Sequence, residues 1–313
     1  MNTAFSTEHL PVKVRLPEGV RCAVALSYDT DMAAGYAPDG ICHGRTMPAL
    51  QEYMLRLCDT AERYGARVHF FQIGNGLEEP DLEYLKEILH RGHLVDSHTY
   101  SHLALTTEDV GLLDEELART NRLFQERLGW TSTVLRGPGG YTHGLDGLKA
   151  NQEVILKNGF RWVSGRYNHD IYSQGEGFAR EASLREPVYA YPTGLIELPV
   201  QGYTDRAWFD WQECTDPDAY TAWRRAHGHK PVPPGWRCPW TAPDALERWI
   251  AYNLAAADFA YEHRLLWIPV WHPYSHYLHD PENRMLPALL EHCAAKPEKV
   301  WVCSVRDAAE MLE

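Results

Sequence analysis

The hydrophobic and polar positions of the chain alternate between short apolar runs and longer segments with helical periodicity. Apolar runs of strand length predict eight β-strands, at residues 22–28, 67–73, 94–97, 133–136, 160–164, 195–199, 266–271 and 299–303. Between most of them, apolar residues recur every three or four positions, which is typical of amphipathic helices. Because strands that alternate with helices run parallel, this number of strands favours a closed barrel over an open sheet.

An open, doubly wound sheet is the alternative topology. Such a sheet would have a glycine-rich turn after its first strand, and residues 28–31 read Tyr-Asp-Thr-Asp. We therefore predict a single α/β domain over residues 1–313, built as a (β/α) barrel of seven or eight strands. Residues 1–20 would be an N-terminal extension, and residues 202–242 an aromatic-rich insertion within the domain.

The insertion holds five of the eleven tryptophans. It is much longer than the connection of about 2–6 residues that normally joins a helix to a strand. A packed aromatic side chain buries about 150–250 Å², so these side chains must cover the barrel mouth, another subunit, or both. In one interpretation the insertion is a lid, and Trp208 and Trp211 contact the substrate. In the other it is a subunit interface, and a homo-oligomer is expected.

Composition and charge exclude several classes of function. The 313 residues include 30 Lys and Arg against 43 Asp and Glu, which gives a formal net charge of −13. This charge disfavours nucleic acid and anionic membrane surfaces as partners. We find neither an apolar run of the ~20 residues that span a bilayer nor the pattern of a secretion signal, so a cytoplasmic location is expected. Seven widely spaced cysteines predict neither a disulfide framework nor a Cys-type zinc site.

Titratable or glycine-rich polar groups follow five of the predicted strands. These groups are residues 29–31, 96–102, 136–141, 168–170 and 272–274. In a barrel of this kind the reacting residues collect at the carboxyl ends of the strands. The candidate site is therefore expected at that end of the barrel.

His98 and His102 form the strongest single signal in this set. On one helical turn, two histidines at this spacing would place both imidazoles on the same face, where one metal ion can bind them. The spacing alone has a large background in a chain with 16 histidines. Asp29 and Asp31 strengthen the interpretation, because buried carboxylates need a cation or a proton. One Asp and two His would make a three-ligand site with open positions, and the second Asp could act as a base.

Five motifs are similar, in the same order, to those of the polysaccharide deacetylase (NodB-homology) family. The family's first motif is an Asp-Asp pair after a hydrophobic strand, and here residues 29–31 read Asp-Thr-Asp. The pattern GHxxxxHTxxH is matched at residues 92–102, and RxPxG at residues 136–140. The fourth motif, centred on Asp, is matched loosely at residues 168–170. The fifth is a histidine after a hydrophobic strand, here His272.

The resemblance implies a distorted (β/α) barrel that hydrolyses a C–N amide bond with a divalent metal ion, for which zinc is the expected choice. By that resemblance Asp31, His98 and His102 would hold the metal. Asp29 would be the general base, and Arg136 would pair with it and keep it ionised.

The remaining roles follow from the same resemblance. His272 would protonate the leaving nitrogen, with Asp170 as its orienting partner. The turn at Gly140 and Tyr141 would bring a backbone N–H to the developing oxyanion and contact the substrate.

The spaced Asp-Thr-Asp and the His-Pro at residues 272–273 resemble one branch of the family, which includes intracellular peptidoglycan-deacetylase-like and allantoinase-like proteins. A small N-acyl compound, a cyclic amide or an N-acetyl sugar would then be the substrate. Two alternatives stay open: a metal-independent hydrolase of cyclic ureides or imides, and a barrel that binds sugar without catalysis.

Overall fold

Short parallel strands that alternate with helices form the frame of the protein. The computed structural model describes residues 9–31, 43–171, 180–210, 222 and 244–312. Its strands are β1 (Leu10–Pro11), β2 (Val20–Ala25), β3 (Ser27–Asp29), β4 (His69–Gln72), β5 (Leu94–Ser97), β6 (Val134–Tyr141), β7 (Trp162–Arg166), β8 (Tyr189–Ala190), β9 (Ile196–Glu197), β10 (Leu266–Trp267) and β11 (Lys299–Cys303).

The helices pack their apolar faces against these strands. They are α1 (Pro48–Glu62), α2 (Glu83–His90), α3 (Val110–Leu123), α4 (Lys149–Lys157), α5 (Asp205–Asp210), α6 (Ala245–His263), α7 (Pro273–His279), α8 (Met285–Ala294) and α9 (Val305–Ala309). Helix α1 shows why the periodicity predicted them, since Leu50, Met54, Leu57 and Ala61 are all buried on one face. None of the described helices is long and apolar enough to cross a membrane.

The first predicted strand, residues 22–28, is two short strands that belong to different sheets. One sheet has eight strands in the order β1-β8-β9-β7-β6-β5-β4-β3, and the other has the order β10-β2-β11. Pairing changes at Leu26, whose N–H donates to the carbonyl of Cys303 at 2.9 Å and whose carbonyl accepts from His69 at 3.1 Å. Strand β11 therefore pairs with β2 as far as Ala25, and β4 pairs with β3 after this point.

The two sheets also meet on the other side of the barrel. The N–H of Gln201 donates to the carbonyl of Ile268 at 3.0 Å, where a regular ladder would have several such bonds. The strands therefore surround a common interior with an irregular junction on each side. This arrangement confirms the expectation of a distorted α/β barrel.

Two strands of the large sheet were not predicted. Strand β8 pairs antiparallel with both β1 and β9, so the sheet is not parallel throughout. Both β1 and β8 have only two residues, too few for an alternating pattern to be visible in the sequence. The described part of the N-terminal extension is therefore part of the sheet, and a bridge from Val14 to Leu312 fixes it further.

Candidate active site

The carboxyl ends of the parallel strands border a cavity of about 330 Å³. This position agrees with the general rule for α/β barrels, in which reacting groups lie at that end of the strands. Seven of the residues predicted from the sequence lie on its wall: Asp29, Asp31, His98, His102, Arg136, Gly140 and His272. The structure thus brings together residues that are far apart in the sequence, since Asp29 and His272 are separated by 243 positions.

Asp31, His98 and His102 each direct one possible ligand atom to a common point, and these atoms lie within 4.8 Å of one another. The Nδ1–H of His98 donates to the carbonyl of Arg136 at 3.0 Å, so the lone pair of its Nε2 is available on the side of Asp31. Burial lowers the pKa of both histidines, which keeps them neutral. One carboxylate and two neutral imidazoles fit a divalent metal ion such as zinc.

The carboxyl group of Asp31 is ionised in this setting. Burial alone would raise its pKa, but the neighbouring histidines, His272 foremost, hold the pKa below its ordinary value. A carboxylate that stays charged while fully buried is the anionic ligand that such a site requires. Asp31, His98 and His102 therefore have the ligand types and the protonation states that a divalent metal ion requires.

The two histidines do not lie on a helical turn, and that expectation was wrong. Thr99 and His102 have φ angles of 59° and 66°, so residues 98–102 form a tight loop. The carboxylate of Glu116 holds this loop by accepting hydrogen bonds from the N–H groups of Tyr100 and Ser101, at 2.9 and 2.8 Å. The imidazoles of His98 and His102 nevertheless meet, with ring centroids 4.9 Å apart.

Asp29 is held by a buried arginine. Its Oδ1 lies 3.6 Å from Nε of Arg136, whose side chain is 1% exposed. Arg136 is fixed in turn by a bond from Nη2 to Oγ of Ser27 at 2.7 Å, and its guanidinium lies over the ring of Phe71. Burial raises the pKa of Asp29 to about 6, although the charge of Arg136 opposes the rise. Asp29 is therefore ionised at neutral pH yet able to accept a proton, as a general base must be.

His272 is paired with a carboxylate that the sequence reasoning missed. Its Nδ1–H donates to Oδ1 of Asp205 at 2.7 Å, and its backbone N–H donates to Oδ2 at 2.8 Å. Burial would lower the pKa of His272, but Asp205 and Asp31 outweigh burial and raise the pKa to about 9. His272 is therefore protonated at neutral pH, with Nε2 3.5 Å from Asp31.

Asp170, predicted as the partner of His272, does not lie on the cavity wall. It is exposed, and its N–H bonds to the side chain of Asn168 at 3.0 Å. Asp205 occupies the expected position instead, at the start of α5. One signal could have revealed it: Asp205 follows a predicted strand by a few residues, as the other site residues do. Its place within the aromatic-rich segment drew attention to the tryptophans.

The residues predicted to bind substrate lie in different parts of the structure. Gly140 lies on the wall with φ 63°, and a Cβ there would come within 2.7 Å of Tyr167, so the close approach needs glycine. Tyr141 packs away from the cavity and its hydroxyl accepts from the N–H of Leu105 at 2.7 Å. Trp208 is 3% exposed and is a core residue. Trp211 lies outside the described residues, as does most of the predicted insertion.

The burial of Trp208 has a clear physical reason. Its Nε1–H donates to the carbonyl of Ala245 at 3.1 Å, and its ring packs against Trp249 and Tyr252 of α6, each centroid 5.5 Å away. An indole whose polar atom is satisfied and whose ring is enclosed gains more from the core than from a substrate contact. The structure therefore places Trp208 in the core and not among the described residues that line the cavity.

Fold and site together define a class, the α/β barrels with a candidate metal centre at the carboxyl ends of their strands. The polysaccharide deacetylase family model matches residues 23–163 of this chain. The match contains the candidate metal ligands and the Asp29–Arg136 pair, and it confirms the family resemblance drawn from the motifs.

Curated and solved relatives agree with that family. The peptidoglycan-N-acetylglucosamine deacetylase PgdA of Listeria monocytogenes is 23% identical over 143 residues, which are 44% of this chain and 27% of the relative. The matched region is thus about a quarter of that relative's length. A Bacillus cereus peptidoglycan-N-acetylglucosamine deacetylase is 23% identical over 114 residues, 36% of each chain.

Solved structures show the likeness of fold over nearly the whole chain. A Mycobacterium smegmatis structure assigned to the polysaccharide deacetylases is 21% identical, covers 96% of this chain and 92% of its own, and has a TM-score of 0.62. An allantoinase structure is 14% identical, with coverages of 95% and 91% and a TM-score of 0.61. The same barrel therefore occurs in proteins with differently named activities, so function must be argued from the site.

Proposed function

We propose that this protein is a metal-dependent hydrolase that cleaves the C–N bond of an amide in a small N-acyl or N-acetylated substrate. One observation supports this proposal above all. The three possible ligand atoms of Asp31, His98 and His102 lie within 4.8 Å of one another, between a carboxylate suited to accept a proton and a histidine suited to donate one.

The metal ion, when bound, would lower the pKa of a water molecule and polarise the scissile carbonyl. Asp29 would accept the proton of that water. Arg136 favours the ionised form of Asp29 and holds the carboxylate in position, since its side chain is buried and bonded to Ser27. His272 would deliver its Nε2 proton to the leaving nitrogen, because an amine leaves as a neutral molecule far more easily than as an anion.

The substrate class is argued from the relatives and from the cavity. The curated relatives are named for the N-acetylglucosamine of peptidoglycan, so an N-acetylated sugar is one candidate. A cavity of about 330 Å³ lies at the small end of ordinary ligand sites, which favours a compact substrate.

A metal-independent hydrolase of cyclic amides is the second candidate. Asp29, Asp31 and His272 also bring one possible ligand atom each within 4.8 Å of the others. Two carboxylates and a protonated histidine could orient a water molecule between them without an ion. Against this, the protonated state of His272 makes it a donor to such a water and leaves only the carboxylates to activate it.

Metal content and substrate scope can be measured together. The protein would be purified without added metal and analysed by elemental mass spectrometry. It would then be assayed on N-acetylglucosamine, N,N′-diacetylchitobiose, allantoin and hydantoin. We expect about one equivalent of a divalent ion, and its loss in His98→Ala with at least a 10²-fold fall in turnover. His143→Ala removes an exposed histidine and should change neither value.

Two results would overturn the metal-dependent proposal. A His98→Ala variant that retains one equivalent of metal would show that the ion binds elsewhere. A wild-type protein that hydrolyses allantoin or hydantoin at full rate after chelation would favour the metal-independent candidate.

A further inference from the structure

The loop that carries the two histidines of the proposed metal site has an unfavourable backbone conformation. Thr99 and His102 have φ angles of 59° and 66°, in the left-handed region. Residues other than glycine rarely adopt this region, and a β-branched residue such as Thr99 does so least of all. Thr99 directly follows His98, and His102 is itself a proposed ligand. The surrounding structure must therefore hold this loop in the shape that the metal site needs.

The carbonyl side of the loop is held by the turn that follows β4. The N–H of Gly74 donates to the carbonyl of Thr99 at 2.8 Å, and the N–H of Asn75 donates to the carbonyl of Tyr100 at 2.9 Å. A Cβ at Gly74 would come within 2.7 Å of Oγ1 of Thr120 and 3.1 Å of Cα of Tyr100. The loop, this turn and helix α3 are therefore packed in close contact.

The N–H side of the loop is held by Glu116, a side chain of α3 that is 7% exposed. Its Oε2 accepts from the N–H groups of Tyr100 and Ser101, at 2.9 and 2.8 Å, and its Oε1 accepts from the hydroxyl of Ser101 at 2.7 Å. A buried carboxylate needs donors of this kind, and bonds to an ionised acceptor are the stronger ones. The two left-handed residues, Thr99 and His102, directly flank the two residues that Glu116 binds.

Helix α3 gives the carboxylate of Glu116 a fixed position. The neighbouring side chains of Leu113, Leu117 and Thr120 are buried, and the hydroxyl of Thr120 donates to the carbonyl of Glu116 at 2.8 Å. Because the helix is packed on the core through these residues, its position does not depend on the loop. Glu116 thus provides a rigid support from which the conformation of the loop is set.

We propose that Glu116 is a positioning residue for the metal site, which holds residues 99–102 so that the imidazoles of His98 and His102 meet, and thereby raises the affinity for a divalent ion. The inference rests on the proposed function, because it takes Asp31, His98 and His102 as the ligands. Glu116 is not among these ligands and acts through the loop. Without it, the loop would relax towards commoner backbone conformations, and metal binding would have to restore the left-handed ones.

Zinc affinity tests this role directly. The dissociation constant would be measured on the metal-free, full-length protein at one pH, by competition with a chelator of known affinity. Glu116→Met removes both acceptor oxygens and retains an unbranched side chain that favours helix. We expect its dissociation constant for zinc to rise by about 10–100-fold, the range typical of groups that orient metal ligands.

Two further variants separate positioning from general effects on the helix. Glu116→Gln retains an oxygen that can accept from the two N–H groups, and its zinc affinity should stay within about threefold of that of the wild type. Glu115→Met makes the same change as Glu116→Met at the adjacent, exposed position of α3 and should leave the affinity unchanged. A residue that only stabilises the fold would lower the free energy of unfolding of the metal-free protein, measured in urea, without changing the zinc affinity of the folded protein.

Ser101→Ala tests the same contact from the loop. It removes the hydroxyl that donates to Oε1 of Glu116 and leaves α3 intact, so it is informative even if Glu116→Met does not fold. Since it removes one of three hydrogen bonds, we expect a smaller rise in the dissociation constant for zinc, of about threefold.

The outcomes distinguish this inference from the proposed function. If His98→Ala binds zinc as tightly as the wild type, the proposed metal site fails, and the function proposed for it fails as well. If zinc binding requires His98 but neither Glu116→Met nor Ser101→Ala weakens it, the metal site stands and the role of Glu116 is refuted. A Glu116→Gln variant that binds zinc as weakly as Glu116→Met would also refute this role.

Discussion

Replacing Asp205 by Asn tests whether His272 acts as a proton donor that depends on its buried partner. The substitution keeps the size of the side chain and removes its charge, 2.7 Å from Nδ1 of His272. Two unit charges roughly 4 Å apart from centre to centre interact by about 4 kcal/mol at an effective dielectric constant near 20. The amide of Asn would also donate to Nδ1, which favours the wrong tautomer of the imidazole.

The loss of about 4 kcal/mol shifts the protonation equilibrium of His272 by about 10³-fold. Since its pKa is about 9 in the wild type, roughly a tenth of the imidazole would remain protonated at pH 7, so we expect kcat to fall about tenfold there and further as the pH rises. The metal content should remain at one equivalent, since Asp205 is not among the proposed ligands. The assay is steady-state hydrolysis of the best amide from the substrate panel, with elemental analysis and circular dichroism on the same samples.

Asp170→Asn is the matched control for that experiment. It makes the same chemical change at the exposed residue that the motif resemblance had suggested as the partner of His272. We expect kcat within about twofold of the wild-type value. If Asp205→Asn remains within fivefold of wild type, or if Asp170→Asn loses as much activity as Asp205→Asn, the assignment of the His272–Asp205 pair is refuted.

Two further predictions concern Asp29 and Glu197. Asp29→Asn should retain the metal by elemental analysis and lower kcat by about 10²–10⁴-fold, and loss of metal with retained turnover would contradict its role as base. Burial raises the pKa of Glu197 from its ordinary 4.5 to about 6, although Gly165, Arg166 and Tyr191 donate hydrogen bonds to it. The folded protein therefore binds this proton more tightly than the unfolded chain, and about 2 kcal/mol of stability is lost as the pH rises through this window. Glu197→Gln should not show this loss of stability when urea unfolding of the metal-free protein is compared at pH 4.5 and 8. If the free energy of unfolding of the variant depends on pH as that of the wild type does, the prediction is refuted.

The parts of the fold that repeat a local pattern were predictable from the sequence. Strands β5 and β11 coincide with the predicted residues 94–97 and 299–303, because each is a short segment that contains apolar residues and follows a turn. The position of the site was predictable for a related reason. Polar groups that directly follow buried strands must meet at one end of a barrel, whatever the exact packing.

The missed features depend on contacts between distant segments, which no local pattern records. The loop at residues 98–102 takes its shape from Glu116, and a histidine spacing of four residues also fits a helix. Asp205 reaches His272 only because the chain after β9 returns to the cavity. Trp208 is in the core because α6 offers both a carbonyl group and two aromatic rings.

The change of pairing at Leu26 explains how the two proposed proton-transfer groups come to share one cavity. Beyond this point, residues 27–29 pair with β4 on one side and with the backbone near Trp271 on the other. Since strand side chains alternate, Ser27 and Asp29 lie on the same face. Arg136 contacts both, with Nη2 on Oγ of Ser27 and Nε near Asp29. The N–H of Asp29 also donates to the carbonyl of Trp271 at 2.8 Å, which places the base directly beside the residue that precedes His272. The change of pairing partner at Leu26 thus brings the proposed base Asp29, its partner Arg136 and the proposed acid His272 to the same cavity.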